Sequence, residues 1–177
     1  MNKLCEIEIF DDEFEEVAFY TIRIEDEVLT ETEKFYHRFL ENENYADYSA
    51  DFRSIVTWIE LIGNEFGALE YFFRPENSAY ALPPKERITR RYTMGKNIDI
   101  IERNRLRLYC IWISESVVIL LNGGIKEAQK NSDKGAENIQ SHFRLANKIG
   151  KIILEKIIED ELSHSFKNLE GDFTFYI

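Results

Sequence analysis

The residues with chemistry to offer are concentrated in the second half of the chain. Arg105 and Arg107 alternate with Leu106 and Leu108, Tyr109 follows, and Lys126 stands just beyond the Gly123-Gly124 pair. His142 and then Arg144, Lys148 and Lys151, spaced i, i+4 and i+7, come next. Such a set suits a phosphodiester. Guanidinium and ammonium groups oppose the charge that grows on phosphoryl oxygens, and a histidine or phenol can move a proton to or from a hydroxyl. Arg107, Lys126, His142 and Tyr109 are therefore the candidate catalytic residues, with Tyr109 also able to stack on a base. Arg87, Arg90, Arg91, Arg105, Arg144, Lys148 and Lys151 are the candidate nucleic-acid contacts. The plain alternative is structural: strand arginines on a solvent face, and a lysine that only terminates a turn.

Other chemistries lack their residues. Neither glycine-rich spot, Gly63 to Gly67 or Gly123-Gly124, has P-loop or dinucleotide spacing. His37, His142 and His164 are far apart in sequence, without a cysteine cluster, so neither a metal nor a cofactor is expected. Cys5 and Cys110 lie in apolar settings and read as buried structural thiols.

The 177 residues carry a formal charge of −11, but unevenly. Residues 1–70 hold 19 acidic against 5 basic side chains, a net of −14. Residues 71–151 hold 15 basic against 8 acidic, a net of +7, and residues 152–177 hold 6 acidic against 2 basic, a net of −4. A polyanion responds to the local patch, so the central segment can act as an anion site. Mutual neutralisation of the two regions across the fold is the competing account. With no apolar leader and no stretch long enough to cross a bilayer, the chain is expected to be cytoplasmic, with no membrane partner.

The elements that must position these residues follow from periodicity. Leu4 to Phe10 and Ala18 to Ile24 read as a strand hairpin. Thr30 or Thr32 caps a helix carrying Phe35, Tyr36, Phe39 and Leu40, and a second helix runs from about 49 to 66, stopped by Gly67. Leu69 to Phe73 reads as a short strand, and the Pro75 to Pro84 region as an irregular loop that turns basic from Lys85 to Arg91. Leu106 to Trp112 is a strand with Leu106, Leu108, Cys110 and Trp112 on its core face; Trp112 is expected to be buried. Val117 to Leu121 is a central strand broken by Asn122-Gly123-Gly124. A long helix covers about 138–162, and Phe173 to Ile177 forms a last strand. Grouped rather than alternating helices and strands indicate one α+β domain over 1–177: an antiparallel-containing sheet with an N-terminal helical hairpin and a long C-terminal helix.

The stretch from Arg105 to Lys126, RLRLYCIWISESVVILLNGGIK, resembles the end of the RelE/ParE superfamily of toxins from toxin-antitoxin systems, in its phage-derived branch. There a basic residue begins a strand, a tight turn leads to a central strand, and a lysine follows. A lysine-rich linker and C-terminal helix come next, similar to Lys126–Lys130 and Ile139–Ile158 here. The resemblance implies a RelE/ParE-like fold with extra terminal strands, and an mRNA endoribonuclease in which Arg107 and Lys126 face the phosphate. It implies an antitoxin protein and mRNA or the ribosome as partners. Two other readings stand beside it: a non-catalytic module that keeps the toxin fold and binds protein or nucleic acid, and a homodimer or larger homo-oligomer pairing through Phe173–Ile177.

Overall fold

The computed structural model describes residues 2–126 and 133–177, with the backbone alone for 133–138. β1 (Leu4–Asp11) and β2 (Ala18–Ile24) form the expected antiparallel hairpin. α1 (Glu31–Tyr36) begins at a capping box: Glu33 N–H donates to Thr30 Oγ1, and Thr30 N–H donates to the Glu33 carboxylate. It continues through a π-turn over His37–Glu41, and a 3-10 stretch at Glu43–Tyr48 leads into α2 (Ser49–Leu61). Another π-turn at Ile62–Phe66 ends at Gly67, whose φ of 73° supplies the left-handed exit.

The next region departs from expectation. Glu70–Phe72 is a 3-10 turn instead of a strand, because Phe72 and Phe73 are both buried and no alternation exists to support a sheet edge. The stretch expected to be irregular contains a hairpin, β3 (Arg74–Glu76) and β4 (Ala79–Leu82). The basic run folds as α3 (Glu86–Thr93), entered directly after Pro83-Pro84, with Thr89 buried and Ile88 and Tyr92 against the core. A helix therefore separates the sheet strands, and the helix order differs from the expected layout.

β5 (Leu106–Ser114) and β6 (Val117–Ile125) form the central hairpin. The Asn122-Gly123-Gly124 run lies inside β6 rather than breaking it. A side chain on Gly123 would place its Cβ 1.8 Å from the Arg107 carbonyl oxygen, so the close approach of β5 requires glycine there. α4 (Asp133–Ile158) follows, then the small hairpin β7 (Leu162–Ser165) and β8 (Asn168–Gly171), and finally β9 (Thr174–Tyr176). Residues 127–130 of the expected lysine-rich linker lie outside the described residues.

Seven strands form one sheet in the order β3-β4-β5-β6-β2-β1-β9, antiparallel throughout except for β2 beside β6. The class is α+β with a mixed sheet. Helices cover both faces. Leu106, Leu108 and Cys110 of β5 and Val118 and Leu120 of β6 meet Phe35, Ile55, Trp58 and Ile59 on one side. Tyr109, Ile111, Val117, Ile119 and Leu121 meet Ile139, Ala146, Ile149 and Ile153 of α4 on the other. The face of β5 that carries Arg107 is thus an interior face. β9 uses one edge against β1, which leaves three residues of outer edge for pairing with another chain. Among the described residues no helix is long and apolar enough to cross a membrane.

Trp58, not Trp112, is the tryptophan sealed in the core: it is 0% exposed, whereas Trp112 is half-buried and donates its indole N–H to the Ala68 carbonyl at 2.6 Å. Trp58→Ala is expected to cost about 3–5 kcal/mol and Trp112→Ala clearly less, measured by urea unfolding. A larger loss at Trp112 would contradict this placement.

Candidate functional site

The site begins where two strands part. β2 and β6 pair only over Ala18–Tyr20 and Val117–Ile119. Beyond that point the first turn of α1 lies against β6. Thr32 Oγ1 donates to the Leu120 carbonyl at 2.9 Å. Thr32 N–H donates to Thr21 Oγ1 at 3.3 Å, and the two hydroxyl oxygens are 2.7 Å apart. With the Thr32 proton committed to Leu120, Thr21 is the donor in that last contact.

One turn along, a charged cluster continues the seam. Glu31, 3% exposed, accepts from Lys34 Nζ at 2.6 Å and from Asn122 Nδ2 at 3.2 Å. Arg38 donates to the Gly123 carbonyl at 2.8 Å and to Asn122 Oδ1 at 3.3 Å. Burial holds the Arg38 guanidinium below its ordinary pKa, partly offset by Tyr45 and Glu31. His142 of α4 faces this cluster, and its Nε2 finds no hydrogen-bond partner among the described residues. Burial, with Arg38 and Lys34 adding, lowers its pKa to about 4, so the imidazole is neutral at pH 7.

The candidate residues from the sequence divide into three groups. Arg105 is committed to the fold. Its guanidinium contacts Asp51, with Nη2 2.6 Å from Oδ2, donates to the Asp47 carbonyl at 2.7 Å, and lies 4.4 Å from the Tyr48 ring centroid. Asp51 is 1% exposed and also accepts from the Arg105 N–H, so this pair fastens the start of α2 to the start of β5.

Arg107 and Tyr109 come together, but indoors. Arg107 donates from Nη1 to the carbonyls of Asn104 at 2.9 Å and Leu106 at 2.7 Å. Tyr109 packs edge-on against Phe143 of α4, ring centroids 5.9 Å apart. Burial pushes its phenol up to about 12, with Glu76 adding and Arg107 opposing. His142 is oriented toward Arg38 and Lys34. Lys126 is exposed, its N–H closing the open end of the hairpin onto the Arg105 carbonyl at 2.8 Å.

The third group is on the surface. Arg144, Lys148 and Lys151 are exposed along α4, and none forms an ion pair with a described residue. On α3, Arg90 pairs with Glu102, while Arg87 and Arg91 are exposed. Both thiols are buried; burial above all raises Cys5 to about 11 and Cys110 further still, so neither is poised as a nucleophile.

Sequence reasoning missed Glu31, Lys34, Arg38 and Asn122. A glutamate in the first turn of a helix looks like an ordinary dipole partner, and only the parting of β2 from β6 turns it inward. The available signal was Asn122-Gly123-Gly124, a polar and small run at the end of an apolar strand.

The His142 geometry has a signed pH consequence. In the unfolded chain a histidine titrates near 6.5, against about 4 here, so the unfolded state binds more protons between those values. The His142 contribution is complete above about pH 6.5 and is lost as the pH falls toward 4, at most about 3 kcal/mol. Wild type should lose stability relative to His142→Gln across that window in urea titrations; parallel curves would mean that the imidazole titrates freely in the fold.

No family model, curated protein or solved structure matches this chain.

Proposed function

We propose that the protein is a RelE/ParE-like toxin-fold protein that acts by binding single-stranded RNA, not by cutting it at Arg107. The helical hairpin between β2 and the remaining sheet, the β5–β6 hairpin with Lys126 beyond it and the long helix α4 support the resemblance. One observation carries the choice of binding over catalysis. On α4 the cations Arg144, Lys148 and Lys151 are exposed and unpaired among the described residues, whereas Arg107 and Tyr109 are buried at the sheet face that α4 covers.

At 1.5 Å per residue those three charges span about 10 Å along one flank of the helix. A polyanion laid along that flank sheds counterions, and this release drives association without sequence preference. A substrate phosphate, in contrast, has to reach donors directly, and buried Arg107 spends Nη1 on main-chain carbonyls. The resemblance also implies an antitoxin protein, for which the same cationic flank is the natural docking face for an acidic segment.

The endoribonuclease form has one observation in its favour. His142 is neutral and beside Arg38 and Lys34, an unprotonated imidazole next to two cations, though its lowered pKa makes it a weak base.

Binding of a labelled uridine oligomer, followed by anisotropy across a salt series, tests the proposal. Each phosphate contact contributes a slope of about −0.7 in log affinity against log salt. Arg144→Ala/Lys148→Ala/Lys151→Ala should make the slope shallower by about 2, and the oligomer and ribosome-bound messenger should remain intact. An unchanged slope would overturn the binding surface. Cleavage abolished by Arg107→Ala would establish the catalytic form instead.

A further inference from the structure

On the opposite side of the sheet from α4, a groove of about 500 Å³ opens beside the β3–β4 hairpin. Its lining includes Tyr71, Pro75, Tyr80, Glu70, Lys85 and Arg87. The volume falls within the range that encloses small ligands. Two features distinguish it from an ordinary apolar depression: its aromatic rings are fixed in place, and its charges Glu70, Lys85 and Arg87 form no ion pair with a described residue.

Tyr71 is 50% exposed, yet its ring is anchored. Its hydroxyl is 2.5 Å from the Tyr92 hydroxyl, and the two rings stack at 26° with centroids 6.2 Å apart. Tyr80 packs against Trp112 and donates its hydroxyl to Glu70 Oε1 at 2.8 Å. Burial and the Glu70 carboxylate push the Tyr80 phenol up to about 12, so it stays protonated and keeps Glu70 oriented. Glu70 Oε2 accepts from no described residue, and no ion pair joins Glu70 to Lys85 or Arg87.

Stacking faces suit a nucleobase, and Glu70 chooses among bases. An ionised carboxylate only accepts hydrogen bonds. Guanine alone presents two adjacent donors, N1–H and the N2 amino group, on its Watson–Crick edge. Adenine and cytosine set a ring-nitrogen acceptor beside their amino donor, and uracil flanks its single N–H with two carbonyls, so a carboxylate is repelled in each case. Lys85 and Arg87 at the rim supply positive charge for the phosphate attached to the base. We infer that this groove is a guanine-nucleotide site, with the base stacked at Tyr71, its Watson–Crick edge on Glu70, and its phosphate at Lys85 and Arg87.

The inference rests on the RNA-binding reading above for its physiological ligand, but it has its own readout. Anisotropy would compare a uridine oligomer carrying one central guanine with the same oligomer carrying adenine, and unlabelled GMP would be the competitor. Wild type should prefer guanine by roughly 5- to 150-fold, the range of a good bidentate base contact. Glu70→Gln, which can still accept from Tyr80, should abolish that preference. Tyr71→Ala should weaken the guanine oligomer by a comparable factor, roughly 5- to 150-fold. The α4 triple variant should lose affinity and keep the preference. Thermal unfolding of both groove variants checks that they remain folded.

Competition by GMP would mark the site as one that also takes the free nucleotide. Guanine preference without GMP competition would restrict it to a strand, and either result supports the guanine site. Equal affinity for the two oligomers, or a preference that survives Glu70→Gln, would overturn it. If wild type binds neither oligomer, the RNA reading fails, and calorimetric titration with GMP decides the groove: binding lost in Glu70→Gln upholds it, and no binding overturns it.

Discussion

Everything near the centre of this molecule depends on how the edge of β6 is satisfied after it parts from β2. A strand that loses its neighbour exposes a row of main-chain groups, and a buried one left unpaired costs about 1–3 kcal/mol. Here the missing ladder is replaced by side chains of one helix. Thr32 serves the Leu120 carbonyl and Arg38 serves the Gly123 carbonyl, while Glu31 and Asn122 join the two contacts into a continuous seam. That substitution fixes α1 in rotation as well as position. With Thr32 and Arg38 turned to the strand, Phe35 and Phe39 turn to the core beside Phe52. The aromatic cluster beneath the helical hairpin is therefore positioned by polar contacts at its border.

The same seam adds to the effect of burial on His142. It approaches from α4, on the other face of the sheet from α2, and meets a neighbourhood already supplied with the cations Lys34 and Arg38. Since Glu31 is engaged by Lys34 and Asn122, a proton on His142 adds charge without gaining a partner among the described residues. Burial is the main cause of the neutral imidazole, and the cations that cap β6 reinforce it.

The outline of the fold was legible in the sequence where one face of an element is apolar. The β1–β2 hairpin, the two helices ending at Gly67, and the alternating Leu106, Leu108, Cys110 run all form as their periodicity predicts. Periodicity failed where both faces are buried or where small pieces depend on neighbours. Arg107 and Tyr109 have the spacing of a solvent face, and only the docking of α4 makes that face interior. Gly150 shows how tight that docking is: a Cβ there would come within 2.1 Å of the Ser78 carbonyl oxygen in the β3–β4 turn. The α3 helix was missed because its basic residues mask a short inward face of Ile88, Thr89 and Tyr92. Of the candidate sites, the α4 cations were legible because exposure follows from helix spacing. The Glu70 groove was not, since Glu70, Tyr80 and Arg87 meet only through an edge hairpin that the prolines disguised.

The uneven charge of the chain can now be weighed between its two accounts. If the acidic first 70 residues neutralised the basic middle segment, ion pairs would cross from one to the other. Among the described residues they mostly stay within their own region: Arg23 with Glu8, Lys34 with Glu31 and Glu27, Arg90 with Glu102. Arg105 with Asp51 crosses in the required sense, and Arg53 with Asp99 crosses in the opposite one. The crossing pair that is buried on one side, Arg105–Asp51, fastens two elements together and leaves the outer cations as they were. Arg144, Lys148 and Lys151 on one side of the sheet, and Lys85, Arg87 and Arg91 on the other, form no ion pair with a described residue. With a net of −11 around them, such patches attract a polyanion only at short range, where screening has reduced the field of the acidic region more than that of the touching cations. An overall acidic protein with such local cationic patches is therefore biased toward contact through those patches and against indiscriminate adhesion of polyanions elsewhere on its surface.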